Sequence, residues 1–171
     1  MKRAAGISLL ELVITVAVAG ILLAIAMPSF TGVINNNRLT SSSNTLVTAM
    51  HYARSEAVRR NGRVIVCPSA DGATCSASGN WQDWITLATS STGDEVLRNH
   101  GVEAPVQMSS TIQRVSFRAD GLARDAAGNL LAGNFIACIP TNRPVENQRV
   151  IAVASGSRFS TDSADGSGAC P

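Results

Sequence analysis

The order of apolar and polar positions divides the chain into three stretches. No charged residue occurs from Leu12 to Ile34, and Leu12 to Met27 is almost wholly apolar. A run of this kind matches the roughly 20 residues that cross about 30 Å of hydrocarbon as a helix. Farther on, Leu39, Leu46, Met50, Ala53 and Ala57 recur at helical spacing, and the opposite face carries Asn44, Thr48, His51 and Arg54. The pattern predicts one helix that continues out of the apolar run and stops near Asn61-Gly62, a pair suited to a left-handed cap. From Ser8 to Asn61 such a helix would be about 80 Å long, with Pro28 and Gly32 marking where it should bend or loosen.

Beyond Gly62 the pattern changes to short runs of β-branched and apolar residues. Strands are expected over Arg63 to Cys67, Trp84 to Ala88, Glu95 to Arg98, Ile112 to Arg118, Asn134 to Ile139 and Arg149 to Ala154. Turns are expected at Asp71-Gly72, Gly79-Asn80, Asp120-Gly121 and Gly128-Asn129. A long helix followed only by strands predicts an α+β fold, with the helix packed on an antiparallel sheet. Because aromatic residues make up only 4% of the chain, the core is expected to rest on Val, Ile, Leu and Ala.

Charge then orients the apolar run. Lys2 and Arg3 stand in front of it, and positive charge there keeps an N-terminus cytoplasmic while the rest of the chain crosses. A cleaved signal peptide would explain that much. Glu11 argues against it, because an unpaired carboxylate carried deep into a bilayer costs about 2.5 to 3.5 kcal/mol on insertion scales. If the chain were cut between Gly6 and Ile7, the new α-amino group would be a cation that Glu11 of another copy could pair with. The intramembrane acid would then serve assembly.

The segment Gly6-Ile7-Ser8-Leu9-Leu10-Glu11-Leu12, after a short basic leader and before an apolar helix with Pro28 near its end, resembles the class III signal of type IV prepilins and pseudopilins. The resemblance implies cleavage by a prepilin peptidase after Gly6, methylation of Ile7 as the new N-terminus, and assembly roles for Glu11 and Pro28. The sequence departs from the usual signal at Ile7 and Ser8, where phenylalanine and threonine are more common. The implied organisation is a leader over 1–6, a membrane and assembly helix over 7–30, its soluble half over 31–62, and a β-rich domain over 63–171.

Later segments narrow the resemblance. Ala53-Arg54-Ser55-Glu56-Ala57-Val58, Val64-Ile65-Val66-Cys67, Gly79-Asn80-Trp81 and Phe117-Arg118-Ala119-Asp120-Gly121 are similar to the GspH/FimT family of minor pilins and pseudopilins. That family implies the type IV pilin fold and a non-enzymatic subunit of the priming or tip complex of a type IV pilus. Its implied partners are the prepilin peptidase, other minor and major pilins, and the inner membrane, which the chain would cross once with its C-terminal domain in the periplasm before assembly at the cell surface. A minor pseudopilin of a type II secretion system is an alternative.

Cys67, Cys75, Cys138 and Cys170 all fall in the part expected outside the cytoplasm. Four cysteines allow three connectivities. The favoured one joins Cys67 to Cys75 around Asp71-Gly72, and Cys138 to Cys170 to tie down a Gly/Ser-rich C-terminus. No Cys-x-x-Cys occurs, so zinc is not expected, and Asp162 and Asp165 read as part of a polar tail and not as calcium ligands.

Catalytic chemistry finds little support. His51 and His100 are the only histidines, no Gly-x-Ser-x-Gly occurs, and Gly128 to Gly133 is followed by Asn134 where a phosphate loop needs lysine. Neither enzymatic activity nor a cofactor is expected.

The remaining function class is capture of double-stranded DNA. Some FimT-type members resemble transformation receptors with a C-terminal Gly-Arg-x-Arg motif, and here the matching place reads Gly156-Ser157-Arg158-Phe159-Ser160, which does not meet it. Arg143, Arg149 and Arg158 are nonetheless candidates for a phosphate-binding cluster, whereas Arg59, Arg60 and Arg63 suit a helix C-terminus without any ligand. The formal charge of +2 argues against a nucleic-acid wrapper, since without Lys2 and Arg3 the side chains balance.

Overall fold

One helix, α1 (Leu9–Arg60), organises the molecule in the computed structural model, which describes residues 8–76, 80–91, 93–154 and 156–171, with the side chains of 24–29 also outside the described set. Its 52 residues span about 78 Å. Ser8 caps the start by accepting the Glu11 backbone N–H, and Glu11 places a negative charge in the first turn, where the helix dipole favours it. Asn61 ends the helix in the left-handed region at φ 47°. Its N–H reaches the Val58 carbonyl, and the Gly62 N–H reaches that of Ala57. Asparagine tolerates this conformation better than most residues, and the two bonds form a Schellman cap. The helix runs as one continuous element through positions 28 and 32.

The buried face of α1 is Leu39, Leu46, Ala49, Met50, Ala53 and Ala57. It packs on two antiparallel sheets, which contain nine strands among the described residues, not on the single sheet expected. The first sheet contains β1 (Arg63–Pro68), β2 (Asp83–Ser90), β3 (Gly93–Gly101), β5 (Val115–Phe117) and β6 (Ala123–Arg124), in the order β3-β2-β1-β5-β6. The second contains β4 (Gln107–Ser110), β7 (Gly133–Cys138), β8 (Gln148–Ala154) and β9 (Arg158–Ala164), in the order β4-β7-β8-β9. The region read as a polar tail around Asp162 is therefore the edge strand β9, whose residues are largely exposed.

Aromatic residues do more in the core than their number suggested. Trp81, Trp84, Phe117 and Phe135 are among the largest fully buried side chains. Trp81 joins the two sheets: its indole N–H donates to the Ile112 carbonyl at 2.8 Å, and its ring meets that of Phe135 edge to face at 4.7 Å. A second link is the buried Ser157 hydroxyl, which accepts the Ala123 N–H and so ties β6 to the β8–β9 turn.

Candidate functional site

The amino-terminal half of α1 is a surface waiting for partners. Every described side chain from Ser8 to Leu23 is exposed, including Leu9, Leu10, Val13, Ile14, Ile21 and Leu22, and Phe30, Val33 and Ile34 continue the pattern. The first buried side chain among the described residues is Asn35. At about 1.5 Å per residue, the helix from Leu9 to Ile34 projects for about 39 Å. Monomeric soluble proteins rarely expose so long an apolar surface.

The backbone of this stretch satisfies its own polar groups, and even the Thr15 hydroxyl donates to the Leu12 carbonyl at 2.9 Å. Glu11 is exposed and forms no ion pair among the described residues. Among those residues, no helix is long and apolar enough to cross a membrane. The expected cleavage residues Gly6 and Ile7, and the side chain of Pro28, lie outside the described residues.

A polar collar fixes the helix where it enters the domain. The Asn35 amide donates to the Arg143 carbonyl at 2.9 Å, and the Arg149 guanidinium donates to the Asn36 side chain and, at 2.8 Å, to the Gln148 carbonyl. Both contacts come from the β7–β8 connection and the start of β8.

The far end is held by charge. Glu56 is buried and accepts from both Arg59 and Arg60, and Arg60 also reaches Glu95 on β3 at 2.6 Å. Hydrogen bonds from Arg59 first, and then Arg60, hold the Glu56 carboxyl down to about 2. Arg63, the first residue of β1, takes no part in this network and lines a cavity elsewhere.

The expected cluster of Arg143, Arg149 and Arg158 does not form. Arg149 is buried and spends its guanidinium on the collar, so it has little to offer a ligand. Arg158 is exposed at the other end of the β8–β9 hairpin, opposite Ala154, while Arg149 pairs with Ser163. Five residues of strand, about 17 Å, separate the two positions along β8.

Two disulfides staple the domain, Cys67 to Cys75 and Cys138 to Cys170. Inside the first loop, the Asp71 carboxylate accepts from the Thr74 and Ala73 N–H groups and from the Ser69 and Thr74 hydroxyls. These bonds, those of Thr74 foremost, hold its carboxyl far below the usual range. The second bridge fixes the C-terminus, where the Ala169 carbonyl accepts from Asn147 and Gln148.

No group of His, Cys, Asp and Glu among the described residues could hold a metal ion. His51 lies exposed on α1 with its ring against Phe159. His100 stacks on Trp84, and burial, followed by the charge of Arg98, pushes its imidazole below its usual pKa.

A different group of arginines does converge. Arg63, Arg114, Arg118 and Arg124 line one cavity of about 150 Å³ on the outer face of the first sheet, together with Ile65, Ser116 and the 125–128 turn. Register explains the grouping, since Ile65, Ser116 and Arg124 form one cross-strand row. The sequence carried one sign of it: Arg114, Ser116 and Arg118 alternate with the buried Val115 and Phe117.

Comparison with known proteins agrees with this architecture. Residues 42–157 match the family model described as type II transport protein GspH, and residues 1–27 match the prokaryotic N-terminal methylation motif. None of the curated proteins matches the sequence. Among solved structures, the type IV minor pilin FimU of Pseudomonas aeruginosa in one crystal form aligns with a TM-score of 0.56 at 19% identity, over 74% of this chain and 90% of that one. The minor pseudopilin EpsH of the Vibrio cholerae type 2 secretion system aligns with a TM-score of 0.55 at 9% identity, over 74% of this chain and 97% of that one. At such identities the likeness establishes the fold, which is that of type IV pilins: a long N-terminal helix packed on antiparallel sheets.

Proposed function

Because the chain belongs to the family of the type II transport protein GspH, we propose that it is a minor pilin of a type IV pilus, acting in the priming or tip complex. Its broader class, a minor pilin or pseudopilin of a type IV pilus or type II secretion system, follows from the family and from the methylation motif. Such subunits are structural components and not enzymes.

The observation that carries the proposal is the exposed apolar half of α1 with Glu11 in its first turn. In the proposed sequence of events, the apolar run anchors the precursor in the inner membrane, with Lys2 and Arg3 on the cytoplasmic side and the β-rich domain in the periplasm. Prepilin peptidase cuts after Gly6, and Ile7 becomes the methylated N-terminus. The α-amino group of one subunit then pairs with Glu11 of a neighbour, which neutralises a carboxylate that hydrocarbon disfavours. Packing of the projecting helices against one another removes their apolar side chains from lipid contact, and each domain stays held at the level of its Asn35 and Asn36 collar.

The two disulfides fit a domain that works outside the cytoplasm in either machine. The test is deletion of this chain followed by complementation. Pilus number should fall and secretion of type II substrates should be unchanged, and a Glu11→Ala variant should be processed yet fail to restore pili. Lost secretion with normal piliation would assign the chain to the secretion machine.

A further inference from the structure

We propose that the arginine-lined cavity on the outer face of the first sheet is a binding site for a phosphate group. This goes beyond assembly and does not depend on it. Arg63, Arg114, Arg118 and Arg124 all line the cavity. Arg63 precedes and Arg118 follows the paired Val64 and Phe117, so both border the same cavity, where like charges repel. A bound anion removes that repulsion.

The carboxylates nearby offset only part of the charge, since Asp120 pairs with Arg124 and Asp125 lines the cavity, which leaves four arginines against two acids. Asp120 accepts from the Leu122 N–H and from Arg124 Nη2 at 2.9 Å, and these contacts, in that order, lower its pKa. Asp125 lines the cavity, but its oxygens are engaged by Asn129 within the turn. Arg63, Arg114 and Arg118 are exposed and form no ion pair among the described residues. Arg124 is anchored by Asp120 and by the Gly128 carbonyl, while its Nε–H is buried without a partner.

The walls therefore hold several guanidinium forks and the half-buried Ser116. Guanidinium matches the oxygen spacing of phosphate and binds it bidentately. A space of about 150 Å³ suits one compact tetrahedral anion and is too small for a nucleoside. The phosphate group could be free or part of a nucleic-acid backbone, and the chemistry of recognition is the same.

The experiment uses the full chain in a neutral maltoside detergent at low ionic strength, titrated separately with inorganic phosphate and with a labelled DNA duplex. Saturable binding of phosphate is expected, weakened at least tenfold by Arg114→Ala and by Arg118→Ala and unchanged by Arg143→Ala and Arg158→Ala. DNA binding lost in the same two variants would identify the phosphodiester as the source, and binding of inorganic phosphate alone would identify the free anion. Arg118→Lys should recover only part of the affinity, and full recovery would reduce the site to plain charge attraction and overturn the proposal. Binding of neither probe, or binding that survives Arg114→Ala and Arg118→Ala, would also overturn it. Since both substituted residues are exposed, unchanged circular dichroism is expected in every variant.

Discussion

The side-chain amide of Asn35 donates to the backbone carbonyl of Arg143, 108 positions away in sequence, at 2.9 Å. This bond, beside that of Arg149 to Asn36, marks the level at which the projecting helix becomes part of the domain. Asn35→Ala should cost about 1 kcal/mol, the usual net worth of such a bond. Hydrogen exchange should quicken in residues 140–147 while β1 and β2 keep their protection. Equal loss of protection in all strands would deny the collar a local role.

Stability should fall in acid through Glu56. Its carboxyl titrates near 2 when folded, because Arg59 and Arg60 hold it ionised, against about 4.3 in an unfolded chain. The stabilisation is therefore fully present above about pH 4.5 and disappears as the pH falls toward 2. Since Arg59 is largely exposed, the effect is discounted to about 1 kcal/mol. Urea denaturation of Glu56→Gln should show a flatter profile over this range than the parent, and an identical profile would refute the assignment.

The Cys138–Cys170 bridge closes a sequence separation of 32 residues. Cys170→Ser should lower stability by about 3 kcal/mol, chiefly by freeing the unfolded chain. It should also release the C-terminal segment from Asn147 and Gln148, seen as faster exchange at Gly166 and Ala169. Full retention of stability would show that these hydrogen bonds suffice alone.

Trp81→Ala should be more damaging, by about 3 to 5 kcal/mol, because it empties a fully buried site between the sheets. It also leaves the Ile112 carbonyl without the indole donor. Trp81→Phe should recover most of the packing against Phe135 but not the hydrogen bond. Equal stability of the two variants would contradict this division.

Much of the fold was legible where one physical signal dominated. Leu39, Leu46, Met50, Ala53 and Ala57 mark the buried helix face by spacing alone, and Asn61 stops the helix through its tolerance of positive φ. Strands rich in Val and Ile, such as β1 and β8, also announce themselves. By contrast β4 and β9 are polar edge strands and β6 has only two residues, so none shows apolar alternation. The division into two sheets depends on pairings that no local pattern specifies.

The site was legible in the same uneven way. Glu11 inside an apolar run is conspicuous because charge there is costly. The arginines of the first sheet are scattered between positions 63 and 124, and only strand register gathers them. Arg143, Arg149 and Arg158 lie closer in sequence, yet the extended hairpin holds Arg149 and Arg158 apart.

The central claim, that this chain is a processed minor pilin, is tested most directly by the intact mass of the protein recovered from membranes. The account predicts a chain that begins at Ile7 and carries one added methyl group, with Gly6→Val remaining at the full mass. A wild-type chain that still carries residues 1–6, or one that begins beyond Met27 as after ordinary signal-peptide cleavage, would contradict it.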